Sequence, residues 1–407
     1  MPDPPRKGES QTVASTEEPS HQEPAVKPSL LGLFASFLRL GATAFGGPAM
    51  VAYIRQMAVD RKRWLAARAL DDGVALCQVI PGATAMQTAA YVGLSARGVA
   101  GAAASFVGFG LPAFALMLAL SVLYQRTHNL PAAVSAFSGL QAIVVAIVAN
   151  AAVSFGQTSL KHWRHALIAG LAAALFGCGT NPFLVIALTA LLGLWLLRAA
   201  PSVAGEVSPP MPHTTKPLAL ILCATAVLFA ALFFARRELF ELAALMTRID
   251  LFAFGGGFAS VPLMFNEVVT SRQWLDGPTL LDGIVLGQVT PGPIVITATF
   301  VGYLLGGLFG AIVATVAVFL PSFVLVVAVA PHFDRLRTAP VFTRLIGGCL
   351  CSFPGLLLVV TVHFARNVQW DVSHLLLAAA AFVALRLGTN ILWVVIVGTG
   401  LSLLLCR

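Results

Sequence analysis

Apolar and polar positions separate into long blocks along this chain. Residues 1–29 hold six prolines and no apolar run. Such a segment has little to bury and lacks the hydrophobic stretch of a signal peptide, so it reads as a disordered tail at a cytoplasmic N-terminus. From residue 30 apolar segments follow closely, near 30–53, 72–94, 99–124, 134–156, 165–178, 182–198 and 217–235. A second series lies near 238–265, 282–303, 307–330, 341–364, 373–387 and 390–406. The pattern predicts an all-α polytopic membrane helix bundle of about 10–13 spans, each needing about 20 apolar residues. The longest polar interior stretch, 199–216, contains four prolines and reads as a linker. With the apolar helix after it, it forms a connection over 199–236 between a first half, 30–198, and a second, 237–407.

The halves repeat each other. Arg39, Phe45, Gly46, Gly47 and Pro48 align with Arg248, Phe254, Gly255, Gly256 and Gly257 at an offset of 209. Trp64-Leu65, Asp72-Gly73, Gln78-Val79 and Pro81-Gly82 align with Trp274-Leu275, Asp282-Gly283, Gln288-Val289 and Pro291-Gly292 at 210. Val92-Gly93 and Leu111-Pro112 return to 209 with Val301-Gly302 and Leu320-Pro321. Internal duplication is a common plan of secondary transporters.

Composition supports the membrane reading. Of 407 residues, 58% are hydrophobic and 10% charged, with a mean hydropathy of +0.88. Soluble domains carry about 25% charged residues, so soluble, disordered, collagenous and disulfide-scaffold classes are excluded. The net charge of +8 is uneven, because the tail carries three basic and five acidic side chains. The basic balance of the remainder points to cytoplasmic loops, anionic headgroups or an anionic substrate, not to nucleic acid. All six cysteines fall in or beside apolar stretches, and no disulfide framework is expected.

Each half opens with two interrupted apolar segments. The first breaks at Gly46-Gly47-Pro48 or Gly255-Gly256-Gly257, the second at Pro81-Gly82 or Pro291-Gly292-Pro293. Glycine and proline clusters cannot continue a helix, and freed backbone groups inside a membrane need protein or water around them. The half-helix after each break presents unpaired N–H groups and a positive dipole end, an anion site in kind. Arg39 and Arg248 recur six residues before the Phe of each first break, where they read as cationic walls for an anion or as snorkelling anchors. Gln78 and Gln288 lie one turn before each second break, placed to donate to an oxyanion or to tie off a freed carbonyl. Thr84, Thr297 and Thr299 add hydroxyls, although membrane threonines commonly bond their own helix. Asp72 and Asp282 read as N-caps of the second broken segment; as alternatives they join Asp250 as proton carriers.

Other features read as structural. His162 and His165 flank Trp163-Arg164 as an interfacial anchor. Cys349 and Cys351 point to opposite sides of a helix, and Gly302, Gly306 and Gly310 form a close-packing face. No Walker A lysine, HExxH, GxSxG, haem or zinc pattern occurs, so an ATP-driven pump, a membrane protease, a metal site and a cofactor all lack support.

The stretches 37–48, 61–65, 71–82, 250–262 and 282–293 resemble the chromate ion transporter family, in its long-chain form with two homologous halves. The resemblance implies export of chromate from the cytosol across the inner (plasma) membrane and chromate resistance, with sulfate as the structural analogue. It implies that Gly46, Gly47, Pro48, Pro81 and Gly82 are motif positions, together with Gly255, Gly256, Gly257, Pro291, Gly292 and Pro293. The family's proline after Pro-Gly is Ala83 in the first half and Pro293 in the second, and its acidic residue before the basic-Trp stretch is Glu267 in the second half, where the first has Gln56-Met57. A dianion leaving an inside-negative cell gains about 4.6 kcal/mol per 100 mV, so the potential alone can drive efflux, with proton coupling allowed but not required. A transporter of sulfate or another oxyanion is the nearest alternative, and a membrane-embedded enzyme the alternative of another class. The expected partners are the anion and the lipid bilayer, and a homodimer is left open. Cys77 is expected to face away from the ion path, because chromate oxidises thiols.

Topology leaves a choice. The loop 55–68 holds Arg55, Arg61, Lys62, Arg63 and Arg68. The positive-inside tendency keeps this loop on the cytoplasmic side if the first segment dips and returns. One re-entrant segment per half then gives parallel halves, whereas full spans give opposed ones.

Overall fold

The computed structural model describes residues 27–45, 48–128, 130–198 and 214–405. Gly46, Gly47 and most of the expected tail and linker lie outside these residues. The described chain is helical, with no strand among the described residues.

The first half runs α1 (Leu30–Thr43), α2 (Pro48–Arg55), α3 (Ala67–Val79), α4 (Thr84–Thr127), α5 (Pro131–Ser159), α6 (Trp163–Gly177) and α7 (Pro182–Leu196). After α8 (Thr215–Ala235), the second half runs α9 (Arg237–Phe252), α10 (Ser260–Phe265), α11 (Gly277–Val289), α12 (Thr297–Val329), α13 (Phe333–Thr338), α14 (Pro340–Asn367), α15 (Val372–Arg386) and α16 (Ile391–Leu405). Local signals set the ends. Ser29 caps α1 by accepting from Gly32 N at 3.0 Å, and Asp276 caps α11 by accepting from Thr279 N at 2.8 Å. Both α3 and α11 stop two residues short of Pro81 and Pro291, because the residue before proline leaves the helical region and proline supplies no N–H.

The broken segments are hairpins that turn back. In α4 the backbone leaves the helix at Arg97 and Gly98, and Ser105 Oγ donates to Ala89 O at 2.7 Å. Residues sixteen apart on a straight helix would be about 24 Å apart, so α4 is two antiparallel arms, 84–96 and 99–127. The same happens in α12 at Gly306 and Gly307, where Thr299 and Thr315 hydroxyls meet at 2.7 Å. Gly302 and Gly310 do pack closely, as expected, but against each other across this turn.

Each short arm folds onto the helix before it. A Cβ on Gly73 would collide with the Tyr91 ring, and one on Gly283 with the Phe300 ring. The first breaks reverse the chain as well. Phe37 of α1 lies 6.5 Å from Trp64, centroid to centroid, and Arg248 of α9 reaches Glu267 at 2.7 Å. Each half therefore opens with two re-entrant hairpins, 30–61 and 67–96, then 237–271 and 277–305.

The long arm 99–127 acts as a ruler for orientation. It leaves the base of hairpin 67–96 at Gly98, passes the apex of hairpin 277–305 where Met117 meets Thr290, and ends beside that hairpin's flank where Tyr124 donates to Asp282 at 2.8 Å. The second-half ruler, 308–329, starts at Gly306 beside Leu239 and carries Ala317, which accepts from Thr247 at 3.1 Å. It then brings Ser322 to Asp250 at the apex. The two pairs of hairpins thus enter from opposite ends of the bundle. Two re-entrant segments per half leave four long or paired helices in each. With α8, at 21 residues about 31 Å long, the number of crossings is odd. The halves are opposed and the loop after α2 still lies at the N-terminal end, so both arguments from sequence hold together.

Candidate functional site

The hairpin apices meet crosswise in the middle. Gly82 N donates to Ala253 O at 2.9 Å, and Gly292 N donates to Ala44 O at 3.2 Å. Each bond joins the second hairpin of one half to the first hairpin of the other. Gly82 and Gly292 hold φ of 119° and 112°, a region that side chains on L-residues rarely allow. Helix-breaking sequence at four places thus produces one junction where freed backbone groups find each other.

Beside this junction lies a cavity of about 810 Å³. Its walls include Gln78, Thr84, Ala85, Gly255, Gly256, Gly257, Phe258, Gln288, Thr290, Gly292 and Pro293. The sequence reading named most of these, and the fold brings them together from both halves. Gln288 Nε2 is buried without a hydrogen-bond partner. The starts of the arm 84–96 and of the short helical turn Gly257–Ala259 border the space, so positive helix ends face it. The cavity reaches the surface at Arg55 and Asp71, which form an ion pair with side chains 47% and 56% exposed. These are its only charged walls among the described residues, so the interior offers dipoles and amides without net charge.

Several expected residues stand elsewhere. Arg39 is exposed on α1, and neither it nor Arg248 lines the cavity. Arg248 is committed to Glu267 and lies 4.2 Å over the Phe183 ring. Glu267, nearly buried, also takes Arg272 at 3.6 Å and Asn181 Nδ2 at 3.3 Å. Pro81, Gly82 and Pro291 shape the apices without lining the cavity, and Pro48 opens α2. Asp72 and Asp282 are not N-caps. Their helices begin earlier, behind Ala66 and Asp276, because polar residues such as Arg68 and Asp71 continue the helix on its exposed side. Asp282 is instead buried, bonded by Tyr124 and by Gln141 Nε2 at 2.8 Å. Asp250 is fully buried and accepts from Ser322 N at 2.9 Å and Ser322 Oγ at 2.7 Å. Cys77 is buried and is not part of the cavity wall.

Sequence reasoning missed Arg55, Asp71, Ser154, Phe155, Thr158 and Ser159 as cavity walls. Arg55 carried a loop-charge signal that was read for topology alone, and Asp71 lies in the stretch 71–82 quoted for the family resemblance. Ser154 and Thr158 stand four apart in the apolar helix α5, a polar stripe that was the available signal.

The family model for the chromate transporter matches residues 31–194 and 240–403, once per half. An uncharacterised transporter of Methanocaldococcus jannaschii is 40% identical over 393 residues, covering 96% of this chain and 98% of that protein. A chromate transport protein of Pseudomonas aeruginosa is 32% identical over 372 residues, covering 86% and 85%. One of Cupriavidus metallidurans is 30% identical over 365 residues, covering 86% of each. No solved structure matches the chain.

Proposed function

The chain belongs to the chromate transporter family, and from that premise we propose that it exports chromate from the cytosol through the cavity at the hairpin junction, giving chromate resistance. The observation that carries this reading is the unpartnered buried donor there, Gln288 Nε2. Gln78 stands in the same wall, and two helix starts border the space. A tetrahedral dianion sheds water reluctantly and needs several donors at once. Gln78, Gln288, the Gly255–Gly257 segment and the apex around Gly292 and Pro293 supply them. Arg55 and Asp71 form an ion pair at the mouth.

Charge supports the orientation. The end at which the cavity opens carries Arg61, Lys62, Arg63, Arg68, Arg97, Lys161, Arg164, Arg198 and Arg386, with Asp60, Asp71 and Asp72 among them. The other end carries Arg126, Arg236, Arg237, Arg272 and Arg366, with Glu238, Glu241, Asp276 and Asp371 among them. The positive-inside rule puts the open end in the cytosol of a cell whose plasma membrane holds the protein. An anion then enters from the cytosol, and the inside-negative potential drives it outward.

Everted vesicles test this, since their lumen is the former outside. A lumen-positive potential drives chromate uptake, a potassium ionophore that collapses the potential stops it, and excess sulfate competes because the site reads charge and tetrahedral shape. Uptake that ignores the potential and follows only the pH gradient overturns the electrophoretic mechanism. Sulfate uptake without chromate uptake overturns the choice of substrate.

A further inference from the structure

Behind the apex of hairpin 67–96 lies a polar cluster that the anion cavity does not use. Asp250 and Gln87 are both fully buried. A Cβ placed on Gly82 would come within 2.7 Å of Gln87 Nε2 and 3.2 Å of Asp250 Oδ2, so the carboxyl and the amide flank the same glycine. Gln87 Nε2 donates to Pro81 O at 2.5 Å, and Asp250 Oδ2 takes both Ser322 donors. Their remaining atoms, Asp250 Oδ1 and Gln87 Oε1, are buried without any partner. Both orphans are acceptors. What the cluster lacks is a donor.

No cation fills that role among the described residues. From α12 the carboxyl is faced by Ser322, and from the arm 84–96 by Gln87. On its own helix, Arg248 is turned to Glu267. Among the described residues no lysine, arginine, histidine or second carboxyl is bonded to it. A lone buried carboxylate is an uncompensated charge, and a bound proton removes the charge and supplies the missing O–H.

We propose that Asp250 Oδ1 is a proton-binding site whose occupancy is linked to anion binding in the cavity, a step that rests on the cavity being the anion site. The two places are joined by short connections. Ala253 O, three residues from Asp250, holds Gly82 N, and Ala83 N donates to Ser322 Oγ, which donates to Asp250. Thr84, next in the chain, is a cavity wall. A dianion against Thr84 and Gly256 repels a second negative charge at Asp250, so anion binding favours the protonated carboxyl. By linkage, protonation favours anion binding to the same degree. The proton is taken up from solvent with the anion and is released when the anion departs. A dianion with one proton still carries net negative charge, so the membrane potential still drives it.

The test uses the purified full chain in detergent, with sulfate and chromate as the anions. Binding is measured in a weakly buffered solution across pH 6 to 9 while proton uptake is followed. The expected result is anion binding with uptake of about one proton per anion at the pH of maximum linkage. In Asp250→Asn the uptake is lost and binding is retained. Infrared difference spectra with and without anion should show a protonated-carboxyl band that moves in Asp250→Glu, which keeps the reading testable if the asparagine variant does not fold. Anion binding without proton uptake at any pH, or a carboxyl band unmoved by Asp250→Glu, overturns the proton site and leaves the transport reading standing. Absence of anion binding at every pH overturns both.

Discussion

Gln288→Leu should move stability and anion affinity in opposite directions. In the protein without anion, Gln288 Nε2 is buried and makes no hydrogen bond. An unsatisfied buried donor costs about 1–3 kcal/mol, so leucine, similar in volume and free of donors, should hold or raise the unfolding midpoint. If the same amide donates to the bound oxyanion, its loss removes a hydrogen bond to a charged group, about 1.5–3 kcal/mol. At 1.4 kcal/mol per decade, half-saturation for chromate should then rise roughly tenfold to a hundredfold. Gln78→Leu is the control. Its residue is exposed, so its donor has water in the resting state, and the stability gain should be absent while affinity still falls. The assays are chromate uptake into everted vesicles over a concentration series and thermal unfolding in detergent without anion. A lower unfolding midpoint with unchanged half-saturation would refute the reasoning and make Gln288 a tie for freed backbone.

Other outcomes follow from the same geometry. Gly82→Ala should abolish transport and lower the folded yield, because its Cβ meets Ser322 Oγ at a φ of 119°, whereas Gly98→Ala, with open space around it, should cost only backbone strain; transport and size-exclusion profiles check both. Arg248→Ala should destabilise the protein by less than the about 3–5 kcal/mol of a fully buried pair, because the Arg248 side chain is 45% exposed and Arg272 and Asn181 still serve Glu267, while Arg39→Ala should leave the unfolding midpoint unchanged. In a cysteine-free background, single cysteines at positions 60 and 270 should label from opposite faces of the membrane, position 60 from the cytosol; labelling from one face would refute the opposed halves.

Much of this arrangement was legible in the residues. The thirteen apolar segments correspond to the hairpins and helices of the bundle, and the repeat marked where each half begins to turn back. The paired breaks also pointed to the cavity, since Gly255–Gly257, Gly292, Pro293, Gln78 and Gln288 all line it. What the residues did not show is pairing across the chain. Arg248 read as a free intramembrane cation because its partner, Glu267, lies on the returning arm of the same hairpin, and nothing in a linear pattern says that the arm returns. Asp282 read as a cap because hydropathy changes beside it, although its helix begins five residues earlier at Gly277. Its partners Tyr124 and Gln141 come from the other half and could be found only once the halves interlock.

The interlock is twofold in outline and unequal in chemistry. Where the apex of hairpin 67–96 meets the second half, Gly82 lies against Ser322 and Asp250. At the matching contact, Gly292 lies against Ala113, and the position equivalent to Asp250 is Gly41, packed on the Phe109 backbone. Among the described residues, one crossing is tied by polar side chains and the other by a backbone bond and close packing. The same bias recurs farther out. The hairpins of the second half are fastened by Glu267 with Arg248, Arg272 and Asn181, and by Asp282 with Tyr124 and Gln141. Those of the first half carry the exposed Arg55–Asp71 pair, and Arg68 and Asp72 there are partnered as well. Buried, hydrogen-bonded charges are costly to separate, whereas exposed pairs contribute about 0–1 kcal/mol. The cavity opens at the end that carries the exposed Arg55–Asp71 pair.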